Sequence, residues 1–311
     1  MALSTTSHCF LLALFLLFSA TNGELSENYY ASGCSSLNLT DIMFKEVNRT
    51  LASDRRMGAS LLRLFFHDCF VQGCDASVLL DDDLVRGIVS EKNAGQNLNS
   101  LRGFDVIDRI KKTVEGICPQ SVSCADILAV ATVEAVVLLG GPRWTVLLGR
   151  RDSTNASRSR AESELPSSAD KKSLLDAFAK KGFNGSELVA LSGGHTVGVA
   201  QCQFIPANQT IAKCKVNNQT QTGVVQPVLA ALDDTPDKFD NGYYGNLVGG
   251  TGLLQSDRAL MDGGELEERV RQYGDRLASF ANDFRKAMEK MSRLPGVDEG
   301  QIRVNCSKVN Y

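Results

Sequence analysis

Residues 63–77 constrain this chain more than any other stretch: Arg-Leu-Phe-Phe-His-Asp-Cys-Phe-Val-Gln-Gly-Cys-Asp-Ala-Ser. If 60–67 is helical, Arg63 and His67 lie four residues apart on one face, so a guanidinium and an imidazole enter the same cavity. Asp68 then falls about 100° further round the helix. Asp68, Asp75 and Ser77 offer side-chain oxygens, and the turn 71–73 exposes the carbonyls of Val71 and Gly73, a set of hard ligands that suits calcium. Cys69 and Cys74 can close that loop. The competing reading is a helix end with two incidental charges and a polar turn. It explains each part alone but not their coincidence, since each part needs the others.

The amino terminus sets the compartment. An apolar run over 9–18 precedes the small residues Ser19, Ala20, Thr21 and Gly23, the layout of a signal peptide rather than a membrane span. No Lys or Arg precedes Lys45, so the positive end of that leader is the amino terminus itself. Cleavage near Gly23 gives a mature chain from about Glu24 to Tyr311, with eight cysteines and two histidines, His67 and His195. Eight cysteines in a secreted chain predict four disulfides, with the pairing open at this point. A structural zinc site would use cysteines too, but there is no Cys-x-x-Cys pair. A net charge of -3 and the lack of a basic stripe exclude nucleic acid as a partner. No second apolar run is long enough to cross a bilayer. Sequons at Asn38, Asn48, Asn155, Asn184, Asn208, Asn218 and Asn305 fit a glycoprotein, the last least well because its middle residue is Cys306.

Helical periodicity covers 37–52, 58–67, 101–118, 123–139, 173–181, 186–192, 196–204, 240–247 and 266–290. Strand signals are short, as at 144–148. The expected fold is mostly α with a minor β element. No repeat or Pro/Gly/Ser-rich linker divides the chain. The acidic run Asp81-Asp82-Asp83 reads as a solvated turn, and Trp144, the one tryptophan, as core.

Two motifs carry a resemblance. Arg-x-x-Phe-His-Asp-Cys-Phe-Val-x-Gly-Cys-Asp-Ala-Ser resembles the distal haem signature of the secreted plant (class III) peroxidases, and Leu191-Ser192-Gly193-Gly194-His195-Thr196 resembles their proximal one. The resemblance runs from about Glu24 to Cys306. It implies one haem b clamped between a distal lobe (about 24–150) and a proximal lobe (about 166–290) of one folding unit. It selects the disulfides Cys34–Cys118, Cys69–Cys74, Cys124–Cys306 and Cys202–Cys214. His67 becomes the distal base that moves a proton between the peroxide oxygens, and Arg63 stabilises the charge on the departing one. Phe66 is an apolar wall; the intracellular ascorbate and catalase-peroxidase branch would carry Trp there. Asn97, at the family's spacing after Glu91-Lys92-Asn93-Ala94, orients His67, and Glu91 links that network to the distal calcium loop of Asp68, Val71, Gly73, Asp75 and Ser77. His195 is the axial iron ligand, with Asp257 accepting its second ring proton. Asp126 and Arg150 form a structural ion pair. Arg56, Ser60, Ser100 and Gln201 hold the haem propionates.

A second calcium is implied at Thr196, Asp233, Thr235, the Lys238 backbone and Asp240. The chain departs from the family here: Asp233 stands two residues before Thr235 rather than three, which makes Asp234 a substitute candidate. The interval between Cys202 and Cys214 is also short, and Ser167-Ser168-Ala169-Asp170-Lys171 lacks the prolines and aromatics that often line the channel mouth. Pro166 still offers a carbonyl to a phenol, Phe204 can lie at the haem edge, and Gly95 leaves the entrance open. The implied activity is a monomeric, extracellular or wall-bound peroxidase that reduces hydrogen peroxide and oxidises small phenols, serving wall cross-linking, lignin formation or peroxide removal. The rival readings are a non-catalytic haem-binding wall glycoprotein and a binding module without haem.

Overall fold

A helix that is apolar all round must be buried, and residues 124–138 have that character. A computed structural model describes residues 25–34, 38–166, 170–206, 214, 228–297 and 299–311. The expected leader, the sequons at Asn208 and Asn218, and Ser167 to Ala169 lie outside these residues. Helix α1 spans Leu39–Ser53, α2 Met57–Phe70, α3 Phe104–Ile117 and α4 Cys124–Leu138. Every residue of α4 from Cys124 to Val136 is buried, with α1, α2 and α3 packed against it. Helix α3 is amphipathic and turns Val106, Ile107, Ile110 and Val114 inward. Its entry is set by Gly103, whose φ of 102° a side chain would resist.

The later chain forms α5 (Arg158–Glu164), α6 (Lys171–Lys180), α7 (Gly185–Ser192), α8 (Gly242–Val248), α9 (Gln255–Ala259), α10 (Glu265–Asp275) and α11 (Leu277–Met291). Helix α7 packs on α10 and α11, and α8 on α10. Rings of Phe239, Tyr244, Tyr273, Phe280 and Phe284 meet between them, with centroids 4.9–5.9 Å apart. Gly193, just after α7, permits that packing, because a Cβ there would lie 2.3 Å from both Phe280 and the Tyr244 hydroxyl.

The mostly α fold with a small β element stands as expected, with three local corrections. Residues 196–204 are not one continuous helix, only Thr196 and Cys202–Phe204 lying in 3-10 turns. A 3-10 turn over Gly193–Thr196 ends at Gly198 (φ 99°), and β1 (Val199–Gln201) pairs antiparallel with β2 (Leu229–Ala231), Ala200 opposite Ala230. Among the described residues, the segment 144–148 makes only an isolated bridge, Ser26 with Leu148. The run 266–290 is two helices, broken at Arg276 (φ -138°, ψ 88°), which lets α11 turn its own apolar face onto α7. Helix α5 went unseen because it is short and polar, with Ala161 its single buried residue.

All four expected disulfides are present. Two buried carboxylates add polar ties. Asp126 accepts from Tyr30 Oη (2.5 Å), Gly149 N (2.7 Å) and Arg150 Nη1 (2.7 Å). Asp152 accepts from the amides of Cys124, Ala125 and Arg303, joining the start of α4 to the carboxy-terminal segment. Removing one partner of a buried ion pair strands the other charge, so Asp126→Ala is expected to cost about 3–5 kcal/mol. Urea unfolding followed by circular dichroism measures this; a loss under about 1 kcal/mol, the scale of an exposed pair, would mean that the pair is not dry.

Candidate active site

Helix α2 presents Arg63 and His67 one turn apart, as the spacing requires. His67 is buried, and its Nδ1 lies 2.6 Å from Asn97 Oδ1. Asn97 Nδ2 donates to the Glu91 carbonyl at 2.8 Å, which fixes the amide so that Oδ1 faces the imidazole. His67 Nδ1 is therefore the donor, and Nε2 is the nitrogen left to act as a base. Burial, then the Arg63 charge, hold His67 well below the ordinary histidine range, against the Asn97 hydrogen bond. Arg63 Nη2 donates to the Gln96 carbonyl (2.8 Å) and Ser100 Oγ (3.1 Å), and burial lowers its pKa to about 10, so it stays charged at neutral pH. Phe66 stacks on Phe70 at 4.9 Å and meets His67 edge-on at 5.8 Å.

His195 sits in the 3-10 turn after α7, with Nδ1 2.8 Å from Asp257 Oδ1. A carboxylate can only accept, so Nδ1 carries the proton and Nε2 has no hydrogen-bond partner among the described residues. Its side chain remains 39% exposed. Burial opposes its protonation, but the Asp257 carboxylate outweighs burial and raises its pKa. Helix α2 packs against the turn after α7, Leu62 lying by Gly194 and Ala59 by Gly198, and the Arg63 charge acts on both imidazoles across that junction. Arg56 and Ser60 begin α2, Arg56 making no side-chain hydrogen bond to the described residues, and Gln201 Nε2 donates to the Asn99 carbonyl at 3.0 Å, beside Ser100. A histidine Nε2 without a partner, an opposed base and an unpaired guanidinium fit a haem with its propionates.

In the last turn of α2 and beyond it, the buried Asp68 Oδ1, Asp75 Oδ2, Ser77 Oγ and Glu91 Oε2 have no hydrogen-bond partner among the described residues. Such orphaned hard oxygens fit a calcium ion. Burial raises Asp75 to about 6 and Glu91 to about 8, and it also raises Asp68 well above its ordinary range, with the Asp75 charge adding to burial there. Val71 and Gly73 follow directly; Gly73 has φ 93°, and a Cβ there would meet the Pro295 carbonyl. On the other side, Thr196 Oγ1 donates to Asp233 Oδ2 (2.9 Å), Thr235 N to Asp233 Oδ1 (2.8 Å), and Thr235 Oγ1 to Asp240 Oδ2 (3.1 Å). The structure thus brings Asp233 to Thr196, Thr235 and Asp240 despite its shifted spacing. Lys238 adds its ammonium at 3.3 Å from Asp240. Phe204 is 53% exposed in the turn Cys202–Phe204; Pro166 follows α5, and Gly95 is exposed. Residues 207–213 lie outside the described residues.

Sequence reasoning missed Arg303 and Tyr243. Arg303 is fully buried, donates Nη2 to the Ala76 carbonyl at 2.6 Å, and places its charge on Asp152, Asp68 and Asp75. Its one sequence signal is Cys306 three residues later. Tyr243 donates to Asp257 Oδ1 at 2.9 Å, and nothing in the local sequence points to it.

The raised carboxyl groups predict a metal-linked pH dependence. A carboxyl whose folded pKa is raised binds more protons folded than unfolded, so stability falls as pH rises through the interval between the two values. For Asp75 and Glu91 that interval runs from their ordinary 3.8 and 4.5 to about 6 and about 8. Chelator-treated protein should therefore melt at lower temperature at about pH 8 than at about pH 5, with calcium abolishing most of the difference. Scanning calorimetry with and without chelator checks this; parallel pH curves would reject a cation at the loop.

Comparison with known proteins follows the same lines. A family model described as peroxidase matches residues 43–276. "Peroxidase 2" of Oryza sativa subsp. japonica is 46% identical over 323 residues, covering 100% of both chains. "Peroxidase 70" of Zea mays is 45% identical over 325 residues, again covering 100% of each. "Lignin-forming anionic peroxidase" of Nicotiana sylvestris is 44% identical over 310 residues, covering 96% of this chain and 95% of its own. With a peroxidase model matched over residues 43–276 and plant relatives 44–46% identical over 95–100% of their length, the chain belongs to the peroxidase family, in its plant (class III) branch.

Proposed function

We propose that this enzyme is a secreted haem b peroxidase in which His67 and Arg63 activate hydrogen peroxide, His195 holds the iron, and small phenols give up one electron at a time. The observation that carries the reading is that both histidines commit Nδ1 to a fixed acceptor, Asn97 or Asp257, leaving both Nε2 atoms for chemistry across one space. Haem bound there supplies the iron and ring that take two oxidising equivalents from peroxide and pass them singly to donors.

His67 Nε2 takes a proton from one peroxide oxygen and delivers it to the other, so that water departs. Asn97 keeps the imidazole in the tautomer that allows this. Arg63 stabilises the negative charge on the departing oxygen, worth more in this buried setting than in water. Phe66 holds large donors away from the iron. Arg56, Ser60, Ser100 and Gln201 anchor the propionates between a distal lobe of about 24–150 and a proximal lobe of about 166–290. Two calcium ions, at Asp68, Val71, Gly73, Asp75 and Ser77, with Glu91 behind them, and at Thr196, Asp233, Thr235 and Asp240, hold the loops that carry the two histidines. Phenols approach past Gly95, with the Pro166 carbonyl as acceptor and Phe204 at the edge. The name of the tobacco relative supports a place in lignin formation, and wall cross-linking and peroxide removal are the other roles open to the same reaction. The apolar run over 9–18 and four disulfides support export to the extracellular space or wall, where the enzyme would act as a monomer. No observation favours the non-catalytic reading.

Stopped-flow mixing of the haem-loaded mature protein with hydrogen peroxide and then guaiacol tests this. His67→Ala should slow the peroxide step by about 10²–10⁴-fold while the Soret band shows haem still bound. Because His67 acts as the neutral base and its pKa is lowered, the wild-type rate should hold as pH falls past 6.5 and drop only in more acid solution. Unchanged peroxide reactivity in His67→Ala, or an inflection at or above 6.5, would reject the assigned base.

A further inference from the structure

Asp257 has two donors on one oxygen. His195 Nδ1 lies 2.8 Å and Tyr243 Oη 2.9 Å from Asp257 Oδ1, while Leu254 N donates to Oδ2 at 3.3 Å. The carboxylate is buried, so the two lone pairs of Oδ1 are divided between imidazole and phenol with no water to share the load. Tyr243 is also buried and meets the His195 ring edge-on at 5.9 Å, a contact that restricts rotation of either ring. Burial raises its hydroxyl well above the ordinary tyrosine range, so it remains a donor at every working pH.

We propose that Tyr243 is a positioning residue that sets how strongly His195 donates to the haem iron, and thereby tunes the iron's reduction potential. The inference rests on His195 being the iron ligand. The phenol withdraws electron density from the oxygen that polarises the His195 Nδ1–H bond, so the imidazole is a weaker donor than Asp257 alone would make it. Without the phenol, His195 becomes more imidazolate-like and favours the ferric state.

The adjacent Tyr244 supplies the control. It is equally buried, but its hydroxyl donates to the Val189 carbonyl at 2.8 Å and does not touch Asp257. Potentiometric titration of the haem-loaded protein, with resonance Raman measurement of the iron–histidine stretch in the ferrous form, would compare Tyr243→Phe, Tyr244→Phe and Asp257→Asn. Tyr243→Phe should shift the potential negative and raise the stretching frequency, Tyr244→Phe should stay at wild type, and Asp257→Asn should shift the potential positive. Should Tyr243→Phe fail to fold, 3-fluorotyrosine placed at 243, a stronger donor of the same shape, should shift the potential positive. A wild-type potential in Tyr243→Phe beside a shifted Asp257→Asn would overturn the tuning role and leave His195 on the iron. No shift in either would overturn both, and equal shifts in Tyr243→Phe and Tyr244→Phe would reduce the effect to general loosening.

Discussion

Four carboxylates buried together at and beyond the end of α2 set the terms for the distal side. Asp68, Asp75, Glu91 and Asp152 have almost no exposure to water, and an uncompensated buried charge is costly enough that such a group neutralises or finds a partner. Arg303 places its charge on three of them. It reaches them because Cys306, three residues on, is bonded to Cys124 at the start of α4, where Asp152 also accepts the Cys124 and Ala125 amides. The carboxy-terminal segment is thus built into the distal loop. The orphaned oxygens that remain are the ones the proposed calcium would take. The same loop carries Glu91, whose carbonyl orients Asn97 and so the ring of His67. Electrostatic balance in the loop and the readiness of the base are one problem.

The two histidines illustrate how partner choice assigns opposite tasks to one residue type. Both are desolvated and both feel Arg63, which alone would lower both pKa values. A neutral amide oxygen faces His67 and cannot offset those effects, so the imidazole stays unprotonated and available. A carboxylate faces His195 and does offset them, pulling the Nδ1 proton toward itself and making the ring more electron-rich, as the proposed iron ligand would need. Replacing either partner by the other would exchange these properties without moving a helix.

The shifted spacing of Asp233 is absorbed locally. Asp233 reaches Thr196 although one residue nearer Thr235 than usual, because the β1–β2 pairing and the Leu232 amide bonded to the Gly198 carbonyl bring the two segments side by side before Asp233 is reached. The two-stranded sheet, nearly negligible as secondary structure, is what sets the register of that loop. Its strands follow Thr196 and precede Asp233, so a slip in pairing would separate the two residues.

The sequence by itself determined what depends on short spacing: the Arg63–His67 pair one helical turn apart, the oxygen-rich loop after it, and the helical periodicity of α1 to α4, while its eight cysteines from Cys34 onward foretold four disulfides. The two motifs together made the family legible, and with it the disulfide partners and Asp257. The tertiary structure alone decided what depends on contacts between distant segments. Arg303 meets Ala76 across 227 residues, Asp152 joins Cys124 to Arg303, and Tyr243 converges on the oxygen that His195 already uses. The break at Arg276 and the strand at Val199–Gln201 belong to the same class, since each exists to meet a surface supplied from elsewhere. Local propensity encodes turns and faces over a few residues, whereas the pairing of buried charges and the sharing of one carboxylate oxygen arise only when packing removes water and leaves those groups no other partner.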